Sequence, residues 1–277
     1  MHLLRNLWWG TFDLNILSKS FLAFKTISNF HTFILDYAGL LHRDVEYHIK
    51  GKDVKLVARG GTPDCKEIVV VMSGYEYNLA VLPQMLSPVI FDLGAHIGSF
   101  SLYAINYFKH ANPKVFAFEP DKENFVYLQK SLYINNINSD VCVTRNCAIG
   151  NYNGWAMLDK SKNNDAYFIT DDPKEKSYEN CSICTLPAVA NSFGVNRIDI
   201  LKMDIEGGEY AVLGDDLSYE FIANAVCFIA LEHHALNNDR NVNWIKKRLN
   251  KHFDICLERG NVAFFINRIL CRGVCNR

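Results

Sequence analysis

Val89-Ile90-Phe91-Asp92-Leu93-Gly94-Ala95-His96-Ile97-Gly98-Ser99-Phe100 decides how this chain is read. The run up to Phe91 has the composition of a strand buried on both faces; it ends in Asp92 and a glycine turn, and Phe100 to Phe108 has helical texture. Gly94 and Gly98 permit a tight turn and a close approach of backbone to ligand, while the helix that follows offers free N–H groups. His96 stands between them and is a residue that tolerates a left-handed backbone.

Working outward, Val115-Phe116-Ala117-Phe118 forms a second strand that closes on Glu119, 25 residues after Gly94, and a helix follows from about Lys122 to Tyr133. Val141-Cys142-Val143, Ile198 to Met203 and Val226 to Leu231 add three further apolar strands. Strands alternating with helices imply a parallel sheet covered on both faces. After a helix from Asn243 to His252, Phe253 to Leu257 and Val262 to Ile266 are joined by Gly260-Asn261, so this last pair is antiparallel. Residues 88–277 therefore account for a seven-stranded α/β domain.

The preceding segment, 1–87, is expected to be a cap packed on that core. Its first 43 residues read as helical, with Leu14, Leu17, Phe21, Phe24 and Ile27 in one apolar stripe that packs on the same chain or on a second copy in a homodimer. From Val45 to Val71 the texture becomes short alternating runs broken by Gly51 and Gly60-Gly61-Thr62-Pro63, which is a hairpin pattern.

Composition narrows the partners. Lys plus Arg is 29 against 30 Asp plus Glu, a net charge of −1, which supplies no electrostatic footprint for nucleic acid. The longest stretch without a charged residue, Asn180 to Asn196, carries Pro187 and small polar residues, so no membrane span is expected. Leu7, Trp8 and Trp9 form an apolar patch, but Asp13 and Lys19 interrupt any signal-peptide core. Nine cysteines, an odd number scattered along the chain, fit reduced thiols. A cytoplasmic protein is the expectation.

In an open α/β sheet ligands bind beyond the carboxyl ends of the strands. Glu119 is placed to accept hydrogen bonds from both hydroxyls of a ribose. Asp92, ahead of a G-x-x-x-G turn with no third glycine, would repel a pyrophosphate, which speaks against a nicotinamide-dependent dehydrogenase. It suits a ligand with a ribose and a cationic group, and S-adenosylmethionine answers that description. Transfer of a methyl group to a hydroxyl needs alignment of donor and acceptor and a base for the proton. Acids and imidazoles crowd the next two strand ends: Asp204, Glu206 and Glu209 after one, Glu232, His233 and His234 after the other. Asp204, Glu206 and His233 are the expected catalytic residues. The same three suit Mg²⁺ or Mn²⁺, although no metal is expected.

Val89 to Gly98, Phe118-Glu119-Pro120-Asp121 with Asn124-Phe125, and Leu201-Lys202-Met203-Asp204-Ile205-Glu206-Gly207-Gly208-Glu209 with Val212-Leu213 together resemble the FkbM family of S-adenosylmethionine-dependent methyltransferases. The resemblance runs from about Asp64 to His233. It implies the class I methyltransferase fold, a Rossmann-like sheet, mostly parallel with an antiparallel last strand, and O-methylation of a hydroxyl on a sugar, glycan or natural product. It also implies that Asp92, Gly94, Ala95, Gly98 and Glu119 bind the cofactor, that Cys147-Ala148 borders adenine, and that Tyr77 covers the site. His96, Pro120 and Asp204 complete the expected cofactor-binding set; His96 stands where the family usually has asparagine. A non-catalytic member that retains the pocket is the alternative.

Overall fold

A computed structural model describes residues 14–159, 168–170 and 178–272; Leu7, Trp8 and Trp9 lie outside them. The described residues begin with helices α1 (Leu14–Thr26) and α2 (Phe30–Tyr37) and a hairpin of β1 (Asp44–His48) and β2 (Lys55–Arg59), followed by α3 (Asp64–Met72). The hairpin is as expected. The helix α3 is a departure, because Val69-Val70-Val71 reads as strand. It starts at Pro63 with Asp64 and Glu67 in its first turn, acids that favour the positive end of a helix. In α1 the apolar stripe also divides differently: Ala23 and Ile27 are buried, whereas Phe21 and Phe24 are more than half exposed.

From position 89 strands and helices alternate as β3 (Val89–Leu93), α4 (Ser99–Tyr107), β4 (Lys114–Phe118), α5 (Lys122–Ile134) and β5 (Cys142–Arg145). Later come β10 (Ile198–Met203), α7 (Glu209–Gly214), α8 (Asp216–Ala225), β11 (Val226–Glu232), α9 (Val242–Leu249), β12 (Phe253–Arg259) and β13 (Val262–Asn267). These seven strands form one sheet in the order β12-β13-β11-β10-β3-β4-β5. Pairing is parallel from β5 through β11, and β13 lies antiparallel to both of its neighbours. That order and the single reversed strand are those of the class I methyltransferase sheet.

Period-two alternation divides the strand residues between two cores. Ile90, Ala117, Ile200 and Phe228 face a layer that includes Ala23, Tyr47, Leu56 and Ile68, so the N-terminal segment and the sheet share one apolar interior. Phe91, Phe118, Leu201 and Met203 face the other side, against Val189, Leu213, Ile222 and Ile245. Backbone N–H groups of Lys55 and Val57 donate to Asn135 Oδ1 and Ser131 Oγ, fastening the hairpin to α5.

Between β5 and β10 the chain builds a second sheet that sequence patterning did not reveal. Its strands are β6 (Ala148–Gly150), β7 (Gly154–Asp159), β8 (Phe168–Thr170) and β9 (Tyr178–Thr185), in the order β6-β9-β7-β8. A short helix α6 (Leu186–Ser192), capped by the Thr185 side chain, returns the chain to β10. Among the described residues, no helix is long and apolar enough to cross a membrane.

Candidate active site

Register sets the site. Leu93 pairs with Met203 on one side and Phe118 on the other, and Met203 pairs with Leu231. The residues that follow, Gly94, Glu119, Asp204 and Glu232, therefore emerge along one edge of the sheet. They border a cavity of about 380 Å³, within the range of small-molecule sites.

Gly94 holds the tightest approach. Its φ is +75°, and a Cβ there would lie 1.8 Å from the carbonyl oxygen of Asp204. Gly94 and Ala95 N–H groups both donate to Phe118 O, which folds the turn against the neighbouring strand. His96 adopts φ 49°, and its N–H donates to Glu119 Oε2 at 2.8 Å. The other Glu119 oxygen accepts from Asp121 N and Asn124 Nδ2. Burial raises this carboxyl to about 7, even though the His96 charge and the two N–H donors lower it. Beyond Glu119 the wall turns apolar, with Phe118, Cys147, Ala148, Ile149 and Leu158.

The His96 ring reaches into the N-terminal segment. Its Nε2 lies 3.1 Å from Arg59 and 3.6 Å from Asp64, while Nδ1 pairs with Glu67. Arg59 and Asp64 are themselves joined by two hydrogen bonds of 2.9 Å between their side chains. Burial opposes charge on His96, but Glu67, Asp64 and Glu119 outweigh it and hold the ring up at about 9. The glycine turn is thus clamped to α3 by a buried ionic network.

Asp92 does not reach the cavity. Completely buried one residue before the turn, it accepts from Ser101 Oγ at 2.6 Å and lies 3.3 Å from Lys202 Nζ. Asp92 and Lys202 are register partners, with Ala117 and Ala230 as their outer neighbours, so small side chains leave room for a buried ion pair. Lys202 Nζ also donates to the carbonyls of Leu93 and Gly94 and lies 3.4 Å from Asp204. Burial works against its charge, yet Asp204 and Asp92 hold its pKa above the usual lysine range. Lys202 was not among the expected site residues, although a charged penultimate residue in each of two adjacent apolar strands was the available signal.

At the far end, Tyr77 sits 1% exposed with its hydroxyl 3.3 Å from Asp204 Oδ2 and 3.4 Å from Glu232 Oε2. Glu76, Glu206 and Glu232 join Asp204 in the cavity wall. Burial, then repulsion from Asp204, raises Glu232 and brings Glu76 to about 7. Burial likewise brings Glu206 to about 7, against the His234 charge. Glu206 has φ 53°, an uncommon conformation for a residue with a side chain and one that concentrates at functional sites.

Of the expected residues, Tyr77, Gly94, Ala95, His96, Glu119, Pro120, Cys147, Ala148, Asp204 and Glu206 border the cavity. Asp92 and Gly98 lie behind it, Gly98 as the left-handed residue that starts α4. His233 does not border the cavity: its N–H pairs with Asn261 O, prolonging the β11–β13 ladder, and burial, then the His234 and Lys246 charges, lower the pKa of its ring. The next residue, His234, faces the carboxylates. Its Nδ1 lies 3.1 Å from Glu209, and its Nε2 is 3.5 Å from Glu206.

The FkbM methyltransferase domain matches residues 92–260. The methyltransferase sdnD of Sordaria araneosa is 28% identical over 188 residues, covering 56% of this chain and 71% of that protein. A solved methyltransferase FkbM from Methylobacillus flagellatus KT aligns over 91% of this chain and 58% of its own, with TM-score 0.49 and 14% identity. P. horikoshii TYW2, solved in complex with MeSAdo, aligns over 82% and 70% with TM-score 0.42 and 15% identity. The chain spans less than two thirds of the M. flagellatus protein. The domain match extends over more than half of the sequence, from Asp92 in the first core strand to the turn before the last, and the chain belongs to the FkbM methyltransferase family.

Proposed function

We propose that the protein is an S-adenosylmethionine-dependent O-methyltransferase that methylates a hydroxyl of a sugar, glycan or natural-product acceptor. One observation supports the reading: a single cavity joins the buried carboxylate of Glu119 to a cluster of four carboxylates, Glu76, Asp204, Glu206 and Glu232, faced by the Lys202 cation. A donor with a ribose at one end and positive charge at the other is complementary to that arrangement, whereas a pyrophosphate is not. When bound, S-adenosylmethionine supplies an electrophilic methyl group.

The chain's own groups do the rest. Cys147, Ala148 and Ile149 form the apolar slot for the base, and Glu119 holds the sugar hydroxyls. Gly94 lets the backbone lie against the donor. Asp204, kept in place by Tyr77 and Lys202, faces the cationic end. Glu206, fixed by its strained backbone at the cavity wall, takes the proton from the acceptor hydroxyl. Pro63, Lys66, Glu67, Val70 and Val71 supply a wall from the N-terminal segment, which acts as the cap that excludes water.

The test is transfer of labelled methyl from S-adenosylmethionine to a panel of hydroxylated acceptors, with identification of the labelled product. An O-methyl ether formed by wild type and reduced at least about a hundredfold by Glu206→Gln is expected, the scale of a lost general base. Labelled nitrogen or carbon products, or donor binding with no transfer to any acceptor, would refute it.

A further inference from the structure

We propose that Asp204 Oδ1, Glu232 Oε1 and His234 Nε2 together bind a divalent cation at the edge of the cavity. Each of the three residues offers a ligand atom, and those atoms lie within 4.8 Å of one another. The ring nitrogen is 3.9 Å from Asp204 Oδ1 and 4.0 Å from Glu232 Oε1, too far for hydrogen bonds. Ligands held about 2.1 Å from a common ion are separated by roughly 3.0–4.2 Å, which spans both distances.

The surrounding groups orient these atoms. Both carboxylates have their second oxygen engaged elsewhere: Tyr77 reaches Asp204 Oδ2 and Glu232 Oε2, and Lys202 is also near Asp204 Oδ2. Only the first oxygens are left toward the imidazole. On the opposite side of the ring, Nδ1 donates to Glu209 Oε1 at 3.1 Å, which leaves the lone pair of the neutral ring on Nε2. Glu209 is completely buried, accepts from Ile205 N through the same Oε1, and has no hydrogen-bond partner for Oε2 among the described residues. A carboxylate–histidine pair of this kind is the usual support behind a metal-bound imidazole.

Charge points the same way. Glu76, Asp204, Glu206, Glu209 and Glu232 surround the spot, with Lys202 as a nearby cation. Two carboxylates and one imidazole suit a cation of the Mn²⁺ class, and three protein ligands leave coordination positions open toward the cavity. Resting on the methyltransferase reading, the ion would bind the acceptor hydroxyl directly and ease loss of its proton to Glu206.

Binding is measured on chelator-treated full-length protein with neither donor nor acceptor present, so failure here leaves the donor-binding reading to be judged by its own titration. Free Mn²⁺ is followed by electron paramagnetic resonance, and the bound ion is examined for nitrogen spin-echo modulation. One bound Mn²⁺ per chain with imidazole-type nitrogen coupling is expected. His234→Gln and Asp204→Asn should weaken binding at least tenfold, and Glu209→Gln, which removes a positioning carboxylate, by about 10–100-fold. No bound Mn²⁺, or a bound ion without nitrogen coupling in the wild type, overturns the proposal without any variant needing to fold. Undiminished binding by folded His234→Gln does the same.

Discussion

Replacing Lys202 by methionine tests the electrostatic anchor of the site. The side chain is 3% exposed and Asp92 is 0% exposed, so neither charge is hydrated when the other is removed. Lys202→Met leaves Asp92 with Ser101 as its remaining side-chain hydrogen-bond partner and strips one donor from the carbonyls of Leu93 and Gly94. Breaking a buried pair from one side costs about 3–5 kcal/mol, because an uncompensated charge stays inside. For a chain of this size that corresponds to a fall in Tm of roughly 10 °C. Asp92→Asn should cost less, since Lys202 keeps Asp204 at 3.4 Å. In Asp92→Asn/Lys202→Met no buried charge is stranded, so the double variant should be more stable than Lys202→Met alone. The coupling should be about 2 kcal/mol. Urea unfolding followed by circular dichroism gives all four values. A cost below about 1 kcal/mol for Lys202→Met, or strict additivity in the double variant, would show that no buried charge is stranded when Lys202 is removed.

Three further outcomes are expected. Gly94→Ala must part Gly94 from the Asp204 carbonyl by more than an ångström and should lower donor affinity about a hundredfold, whereas Gly51→Ala, with open space around it, should leave affinity unchanged; calorimetry compares them. Glu119, facing the charges of His96 and Asp121, must be ionised to accept two hydroxyls. Because its carboxyl is raised to about 7, affinity should be level above that pH and fall about tenfold per unit below it, a dependence that Glu119→Gln removes. His96 is held above its unfolded value, so its stabilisation is complete below about 6.5 and lost as pH rises through about 9. His96→Asn should therefore unfold more readily than wild type at pH 6 and equally at pH 10 by chemical denaturation.

The seven core strands were legible because strands covered on both faces are continuous apolar runs, and the glycine turn marked which strand came first. The small sheet was not, because in β9 the buried positions are Cys181 and Ile183 amid polar neighbours, and Trp155 in β7 points its large apolar surface outward. At α3 three successive valines favour strand locally, and packing of Ile68, Val69 and Met72 in the core decides for helix. Choosing between His233 and His234 required knowing that pairing with β13 continues one residue past the strand, which shifts which ring faces the acids. Asp92 was recognised as important for the wrong contact: its charge is spent on Lys202, and that pairing depends on register between strands more than a hundred residues apart.

In the proposed complex one cavity takes the donor with its ribose on Glu119 and its cationic end among the acids. Titration of S-adenosylmethionine into wild type, Glu119→Ala and Asp204→Asn tests it most directly. One donor bound per chain is expected, weakened at least tenfold, about 1.4 kcal/mol, by either substitution in folded protein. Absence of binding to the wild type, or binding that neither substitution changes, would contradict it.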